Sequence, residues 1–226
     1  ALDADNRLVL LPEHPPKLRV SVGVAETRLR AAILKVLEAD GRCEITDVVP
    51  QLRLIDAPLP PRDDCWDVVF TKGPDAKPVL GPFVLDRTNL LLEGVSLEDV
   101  VLVESSGMDL PGDPLVMSDT GVLMALDRLG GRARRLSIQF DAEKTTLLDS
   151  VDFPALVWNI LQWRQTELPE YCRPNVPIGA TTTLRLQPER KQAVLERPEG
   201  IKNELNPRDA TVVFKTDRPG PYAVVL

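Results

Sequence analysis

Catalysis by a nucleophile and a general base requires a positioned base, and the sequence offers a single histidine for that role. His14 lies in the segment Glu13-His14-Pro15-Pro16, ahead of the first predicted strand. A catalytic histidine must be held within hydrogen-bond reach of its nucleophile, and a proline-rich linker does not hold it there. Ser105-Ser106-Gly107 faintly resembles a nucleophile loop, but the sequence around it contains no histidine. We therefore interpret His14 as a solvated linker residue.

The three cysteines, Cys43, Cys65 and Cys172, do not form a recognisable site. An odd number cannot all pair within one chain, and without a CxxC motif or a Cys/His cluster a structural zinc site is not expected. Reactive thiolates need an electropositive, accessible setting. Three aspartates lie within two residues of Cys65, which predicts a raised pKa. Cys43 falls in a predicted strand and is interpreted as a small buried hydrophobic residue.

Acidic side chains are numerous around the middle of the chain, and paired carboxylates can perform acid–base chemistry or bind Ca²⁺. Their spacing matches no loop of either kind, so we interpret them as solvated turn and cap residues. They are Glu93, Glu98, Asp99, Glu104, Asp109, Asp113 and Asp119.

The one basic cluster consists of Arg128, Arg132, Arg134 and Arg135. Arg132 and Arg134 alternate and would share one face of a strand. This pattern allows an anion or partner contact, but we favour an edge strand protected by charge. GxSxG, GxxxxGK[ST] and GxGxxG motifs are absent. The sequence therefore predicts no catalytic, cofactor-binding or metal-binding residue, and no cofactor.

The elements that would position any site begin with an alternating, valine-rich strand at 17–24. A helix capped by Thr27 follows and ends at Gly41, with apolar residues at helical spacing. Strands are predicted at 43–49 and 66–70, the second apolar enough to be buried on both faces. This order predicts an α/β domain with a mostly parallel open sheet flanked by helices.

The remainder of this domain continues with strands at 96–103 and 114–118. A hairpin is predicted from 122–126 to 132–141, turning at Gly130-Gly131, and a helix is predicted at 152–166, with Pro154 in its first turn. Beyond Pro169, short strands at 181–186, 192–196, 211–215 and 222–226 predict a small all-β sandwich. The predicted organisation is an upstream tail and linker at 1–16, an α/β domain at 17–170 and a small β-sandwich at 171–226.

Composition excludes several classes of function. The net charge of −7 divides into −10 for residues 1–171 and +3 for residues 172–226. An acidic larger part does not suit nucleic acid, because phosphates require a basic surface. No stretch of about 18 apolar residues is present, so no segment is predicted to span a membrane. We expect both ends to continue in a longer protein, with any anchor outside these 226 residues.

Several segments, in order, resemble one family. These are Ala4-Asp5-Asn6-Arg7, Asp67-Val68-Val69-Phe70, the segment 89–97, Phe140-Asp141 followed by the helix 152–163, and Thr216-Asp217-Arg218-Pro219-Gly220-Pro221-Tyr222. Together they resemble bacterial membrane-anchored proteins of the BatA type. Those proteins carry a von Willebrand factor A module followed by a glutamine-amidotransferase-like domain and a terminal β-module. The segments Phe153 to Trp163 and Thr216 to Tyr222 carry the resemblance most strongly.

The resemblance implies a class I glutamine-amidotransferase-like, flavodoxin-like fold without that family's chemistry. True amidotransferases use Cys, His and Glu, and this sequence has neither an elbow cysteine nor a downstream histidine. No functional residue is carried over. The resemblance also implies a periplasmic position, with a final transmembrane helix just beyond Leu226 and the A-module metal site upstream.

These observations predict a non-enzymatic interaction or structural module that binds a protein partner in the cell envelope. Two alternatives stay open. One is a small-molecule sensor at the carboxyl ends of the parallel strands, where open α/β sheets bind ligands. The other is a carboxylate-based envelope hydrolase, which raised carboxylate pKa values in a deep pocket would favour.

Overall fold

The computed structural model describes residues 17–169, 176–186 and 192–225. Strands contain 37% of these residues and helices 19%. The described chain divides into a larger unit, which spans 17–164, and a smaller one, which begins at residue 165. The predicted tail at 1–16, with His14, and Cys172 lie outside the described residues.

The larger unit is built on one mixed sheet. Its elements are β1 (Leu18–Gly23), α1 (Thr27–Asp40), β2 (Cys43–Ile45), β3 (Leu52–Ile55), β4 (Trp66–Thr71), β5 (Ala76–Leu80), β6 (Val84–Leu85), β7 (Val101–Ser105), β8 (Asp113–Met117), β9 (Val122–Arg128), β10 (Arg134–Gln139) and α2 (Asp152–Thr166), the last running into the smaller unit. Eight strands pair in the order β2-β1-β3-β4-β10-β9-β8-β6, and β5 pairs separately with β7. The first five strands are parallel, and the remaining three pair antiparallel.

The predicted α/β domain with helices flanking a parallel sheet is wrong, because the described residues are mostly β and contain only two α-helices. The connection from β3 to the parallel strand β4 explains part of the difference. Such crossovers usually contain a helix, but residues 56–65 make this one without any. Pro58, Pro60 and Pro61 lack the amide hydrogen that a helix needs, and each also disfavours helical backbone in the residue before it.

The side chains of β4 give a second reason why helices cover only one face of the sheet. Trp66 faces α2, since its ring centroid lies 4.0 Å from that of Trp163. Because side chains alternate along a strand, Asp67 points to the opposite face. Its register neighbours there are Arg53 on β3 and Arg135 on β10. A second layer of helices requires an apolar surface, and this row is charged.

The two helices lie side by side. Arg28 near the start of α1 pairs with Asp149, just before α2, at 2.6 Å. The guanidinium of Arg42, after the end of α1, lies 4.3 Å from the ring centroid of Trp158 on α2. These contacts place both helices together, and loops lie on the sheet face that carries Asp67.

The ends of α1 follow from local chemistry. Its N-cap is Glu26, whose carboxylate accepts hydrogen bonds from the amides of Arg28 and Leu29, so the predicted Thr27 cap is wrong. Gly41 ends the helix as predicted, in the left-handed conformation with φ +66°, which glycine adopts without steric cost.

The strand predicted at 96–103 begins later, at Val101. The buried carboxylate of Asp152, at the start of α2, accepts hydrogen bonds from the amides of Ser96 (2.9 Å) and Leu97 (3.1 Å). Leu97 and Asp99 also adopt positive φ, so this segment is irregular. The predicted hairpin is present as β9 and β10, and α2 spans the predicted 152–166.

The smaller unit contains β11 (Thr181–Arg185), β12 (Ala193–Glu196), β13 (Lys202–Leu205), β14 (Thr211–Lys215) and β15 (Ala223–Val225). β11 pairs with β14, and β12 pairs with both β13 and β15, all antiparallel. The sequence did not predict β13, which is mostly exposed. The buried residues Leu184, Leu186, Ala193, Leu195, Val212 and Phe214 form one core between the two small sheets.

Candidate functional site

The sensor hypothesis placed a ligand crevice at the carboxyl ends of the parallel strands, which in the structure include β4 and β10. There Asp141 lies buried, with the Lys72 ammonium 2.9 Å and the Lys144 ammonium 3.7 Å from its carboxylate. Burial alone would raise the pKa of Asp141, but the hydrogen bond from Lys72, the amide of Glu143 and the two lysine charges outweigh it and lower that pKa. Asp141 is thus ionised at neutral pH and is held by two lysines, so it is not the general acid of a hydrolase.

The neighbouring polar groups hold the same chain end together. Lys144 donates to the carbonyl of Ala76 (2.7 Å), and Arg28 donates to the carbonyl of Ala142 (2.9 Å). The amides at the start of α1 are occupied by the Glu26 carboxylate. These contacts fasten the loops after β4 and β10 to each other.

An apolar cavity lies beneath this region, lined by residues that include Leu102, Met124, Ile138 and Leu156. It offers about 10 Å³, the room of roughly one water molecule. A metabolite does not fit, so this cavity does not support the sensor hypothesis.

Both described thiols are poor nucleophiles. Burial is the main cause that raises the pKa of Cys65 to about 11. Arg53 and other arginines lower this pKa, and Asp67 raises it, by smaller amounts. The predicted rise in the pKa of Cys65 is confirmed, but desolvation contributes more to it than the neighbouring aspartates do. Burial, followed by Asp40, raises the pKa of Cys43 to about 12.

Ser105, in the segment that faintly resembles a nucleophile loop, and Glu104, one of the carboxylates interpreted as solvated turn and cap residues, serve as local anchors. The Ser105 hydroxyl accepts from the amide of Gly73 at 3.1 Å, and Ser105 is buried. The Glu104 carboxylate accepts from the hydroxyls of Ser118 (2.8 Å) and Thr120 (2.5 Å). Within the described ranges, no three His, Cys, Asp or Glu side chains come together as a metal site.

The arginine cluster does not protect an edge strand, because β10 lies between β4 and β9 in the sheet. Its members diverge. Arg128 faces Asp113 at 3.7 Å, and Arg134 bonds to the carbonyl of Ala133. Arg135 turns to the buried Asp67. The edge-strand interpretation fails since the antiparallel hairpin continues the sheet beyond β10.

A buried ionic row is the most organised polar feature of the larger unit. The Asp67 side chain is 2% exposed and receives the Nε of Arg53 at 2.7 Å and an Nη of Arg135 at 3.4 Å. The arginine side chains are 11% and 14% exposed. Two guanidinium groups thus share one carboxylate on three adjacent parallel strands.

The row is connected to the crossover loop above it. An Nη of Arg53 donates to the carbonyl of Pro60 (3.2 Å), and an Nη of Arg135 donates to the carbonyl of Leu59 (2.5 Å). Buried polar groups need such partners. The row therefore fixes the loop 56–61 against the sheet.

A second loop covers the same sheet face. Ser21 is the register neighbour of Arg53, and its hydroxyl donates to the Asp47 carboxylate at 2.6 Å. The amide of Gln51 also bonds to the carbonyl of Arg19. Loops 46–51 and 56–61 thus lie over one face, which we call the loop-covered face.

These loops expose apolar side chains. Val48 is 73% exposed, Val49 49% and Leu59 43%. All six residues of 56–61 are exposed, including its three prolines. The ionic row and this exposed apolar surface form the candidate functional site.

Sequence reasoning missed this site. Arg53 lies in β3, a strand that was not predicted, and Asp67 was included in a strand predicted as apolar on both faces. A lone aspartate inside a buried apolar strand was the available signal, because such a charge requires a partner. In the described part of the chain, neither helix is long and apolar enough to span a membrane.

The described residues thus form a mixed-sheet unit with a loop-covered face and a small all-β unit. Residues 174–225 of that smaller unit match a family model described as a domain of unknown function, DUF8816. The comparisons with curated proteins and with solved structures gave no match.

Proposed function

We propose that this chain is a non-catalytic protein-binding module, and that its loop-covered face contacts a protein partner. The observation that carries the proposal is the set of exposed apolar residues on two loops that the sheet holds in place. The ionic row bonds to loop 56–61, and Ser21 bonds to Asp47 in loop 46–51. Val48, Val49 and Leu59 project from these loops. Exposed apolar side chains on a fixed surface favour association, because burying them removes them from water at little ordering cost.

The polar chemistry of the larger unit agrees with a non-catalytic role. At neutral pH the raised pKa values keep Cys43 and Cys65 protonated. Asp141 is ionised and paired with Lys72. Protonated thiols are poor nucleophiles, and an ionised carboxylate does not act as a general acid.

The proposal includes a location in the bacterial cell envelope, as part of a membrane-anchored protein. Support comes from the resemblance of Phe153–Trp163 and Thr216–Tyr222 to proteins of the BatA type. The partner would then be another envelope protein. Nucleic acid is not proposed, because the net charge of −7 opposes it.

Retention of envelope proteins on immobilised chain tests the proposal. The bait would be the 226-residue chain, compared with the variant Val48→Ser/Leu59→Ser. Val151→Ser is a matched control, since Val151 is an 84% exposed valine at the start of α2. We expect one protein to be retained by the original chain and by the control, and to be lost from the double variant.

Two other results would contradict the proposal. Equal retention by all three baits would place the contact elsewhere and refute the proposed face. A bait that retains no envelope protein at low ionic strength would refute the protein-binding proposal itself.

A further inference from the structure

We infer that the segment Ala57-Pro58-Leu59-Pro60-Pro61 is a preformed polyproline II ligand, which a partner domain binds in a groove lined with aromatic side chains. The inference rests on the proposed function and identifies the element of the loop-covered face that the partner reads. It also assigns the partner's chemistry. Stacked aromatic rings recognise proline, whereas a flat apolar patch would not distinguish it.

The prolines of this segment disfavour helical backbone in most of it. Proline fixes φ near −65° in Pro58, Pro60 and Pro61. Ala57 and Leu59 each precede a proline, which moves them from the helical region toward β or polyproline II. Residues 58–61 have neither helical nor strand pairing in the structure. The sequence of the segment therefore favours polyproline II before any partner binds.

The spacing of the prolines creates a defined edge. A polyproline II helix has three residues per turn, so Pro58 and Pro61 stack on one edge. This is the PxxP pattern of ligands that such grooves bind. Both prolines are exposed, so the edge is available to a partner.

The sheet anchors the opposite side of the segment. The carbonyls of Leu59 and Pro60, in the middle of the segment, accept hydrogen bonds from Arg135 and Arg53. Those guanidinium groups are held in turn by the buried Asp67. The segment is thus attached through its backbone and presents its proline rings outward. Little conformational entropy remains to be lost on binding, which is how preorganised ligands gain affinity.

The charges beside the segment define the rim of the partner groove. Asp56 precedes it, and Arg62, Asp63 and Asp64 follow it. The Arg62 guanidinium is paired with Asp64 at 2.6 Å. Asp56 and Asp63, counted with the single unbalanced positive charge of Arg53, Asp67 and Arg135, leave one net negative charge. A groove with a basic rim fits this surface, and binding should weaken as salt increases.

Isolated SH3, WW and EVH1 domains, which read polyproline II segments, serve as probes. Each ¹⁵N-labelled domain would be titrated with the 226-residue chain and followed by amide and indole chemical shifts. We expect saturable binding by at least one domain, with the largest shifts at its groove aromatics. Pro58→Ala/Pro61→Ala should weaken binding by about tenfold or more, and a synthetic peptide of residues 55–63 should compete.

The matched control is Pro219→Ala/Pro221→Ala, which removes two exposed prolines from a turn in the smaller unit. It should bind as the original chain does. Urea unfolding of each variant, followed by tryptophan fluorescence, shows whether the larger unit stays folded. The inference is overturned if none of the domains binds, if the Pro58/Pro61 variant binds within about twofold of the original chain, or if the shifts lie outside the groove.

The two proposals fail separately. In one outcome the probe domains do not bind, and an envelope protein is lost from the Val48→Ser/Leu59→Ser variant but is still retained by the Pro58→Ala/Pro61→Ala variant. The protein-binding function then stands and the polyproline reading falls. If a probe domain binds through Pro58 and Pro61 but the bait retains no envelope protein, the ligand assignment stands and the envelope function falls.

Discussion

Replacing Asp67 with asparagine should destabilise the larger unit strongly. The side chain keeps its size and one acceptor, but the negative charge between two arginines is lost. Arg53 and Arg135 would then be two buried like charges, since their side chains are 11% and 14% exposed. Removing one partner from a buried ion pair is costly because the remaining charge stays desolvated.

The expected loss is about 3 kcal/mol in the free energy of unfolding, the lower end for a broken buried pair. The lower end applies because asparagine can still accept the bond from the Nε of Arg53, now 2.7 Å from the carboxylate. For a unit of this size, that loss should lower Tm by roughly 6–12 °C.

Tryptophan fluorescence during urea denaturation isolates the relevant transition. The three tryptophans of the chain, Trp66, Trp158 and Trp163, all belong to the larger unit. The signal therefore reports its unfolding without a contribution from the smaller unit. The midpoint should fall while the slope m stays constant, if only the stability changes.

Asp113→Asn is the matched control, since Asp113 faces Arg128 at 3.7 Å with both side chains 71% exposed. Exposed pairs contribute little, so this variant should lose less than about 0.5 kcal/mol. If Asp67→Asn behaves within about 0.5 kcal/mol of the control, the row does not act as a buried ionic network and the reasoning fails.

Three further outcomes follow from the same structure. Lys72→Met should raise the pKa of Asp141. The folded pKa of Asp141 is lowered, so the loss of unfolding free energy relative to the original chain should be largest at neutral pH and should shrink as pH falls through that pKa. Urea unfolding at several pH values measures this difference. In a chain whose other cysteines are replaced by alanine, Cys43, with a pKa of about 12, should react with a disulfide reagent near pH 8 roughly a thousandfold more slowly than a free thiol; a rate near that of free cysteine would contradict its burial. Glu26→Ala should cost about 1 kcal/mol of unfolding free energy as a lost helix cap, and Thr27→Ala less than about 0.5 kcal/mol; the reverse order would show that Thr27 is the cap.

Local elements were predictable where one physical signal dominated. The apolar spacing of 152–166 and Pro154 in the first turn gave α2 its observed bounds. Gly41 marked the end of α1 because only glycine adopts the left-handed conformation at no cost. The Gly130-Gly131 turn located the hairpin of β9 and β10.

The architecture was not predictable by the same reasoning, because strand order and sheet coverage depend on distant residues. The strand–helix–strand pattern at the start of the chain suggested repeating crossover helices. Whether a helix returns between β3 and β4 is decided by Pro58, Pro60 and Pro61, which disfavour helical backbone there. The candidate site was missed for a related reason: Arg53, Asp67 and Arg135 are far apart in sequence, and only the parallel register brings them together.

The departure from an α/β fold and the candidate recognition surface have one physical cause. A helix in the β3–β4 crossover would need an apolar sheet face beneath it, and its side chains would hide that face. The proline segment is not helical and leaves this face polar. The sheet there carries Asp67 with Arg53 and Arg135, and the two arginines bond to the carbonyls of Pro60 and Leu59. A buried row of charges is a poor way to stabilise a sheet compared with apolar packing. The row also holds the proline segment in place, and replacing all three charges with apolar residues should preserve stability while it releases the loop.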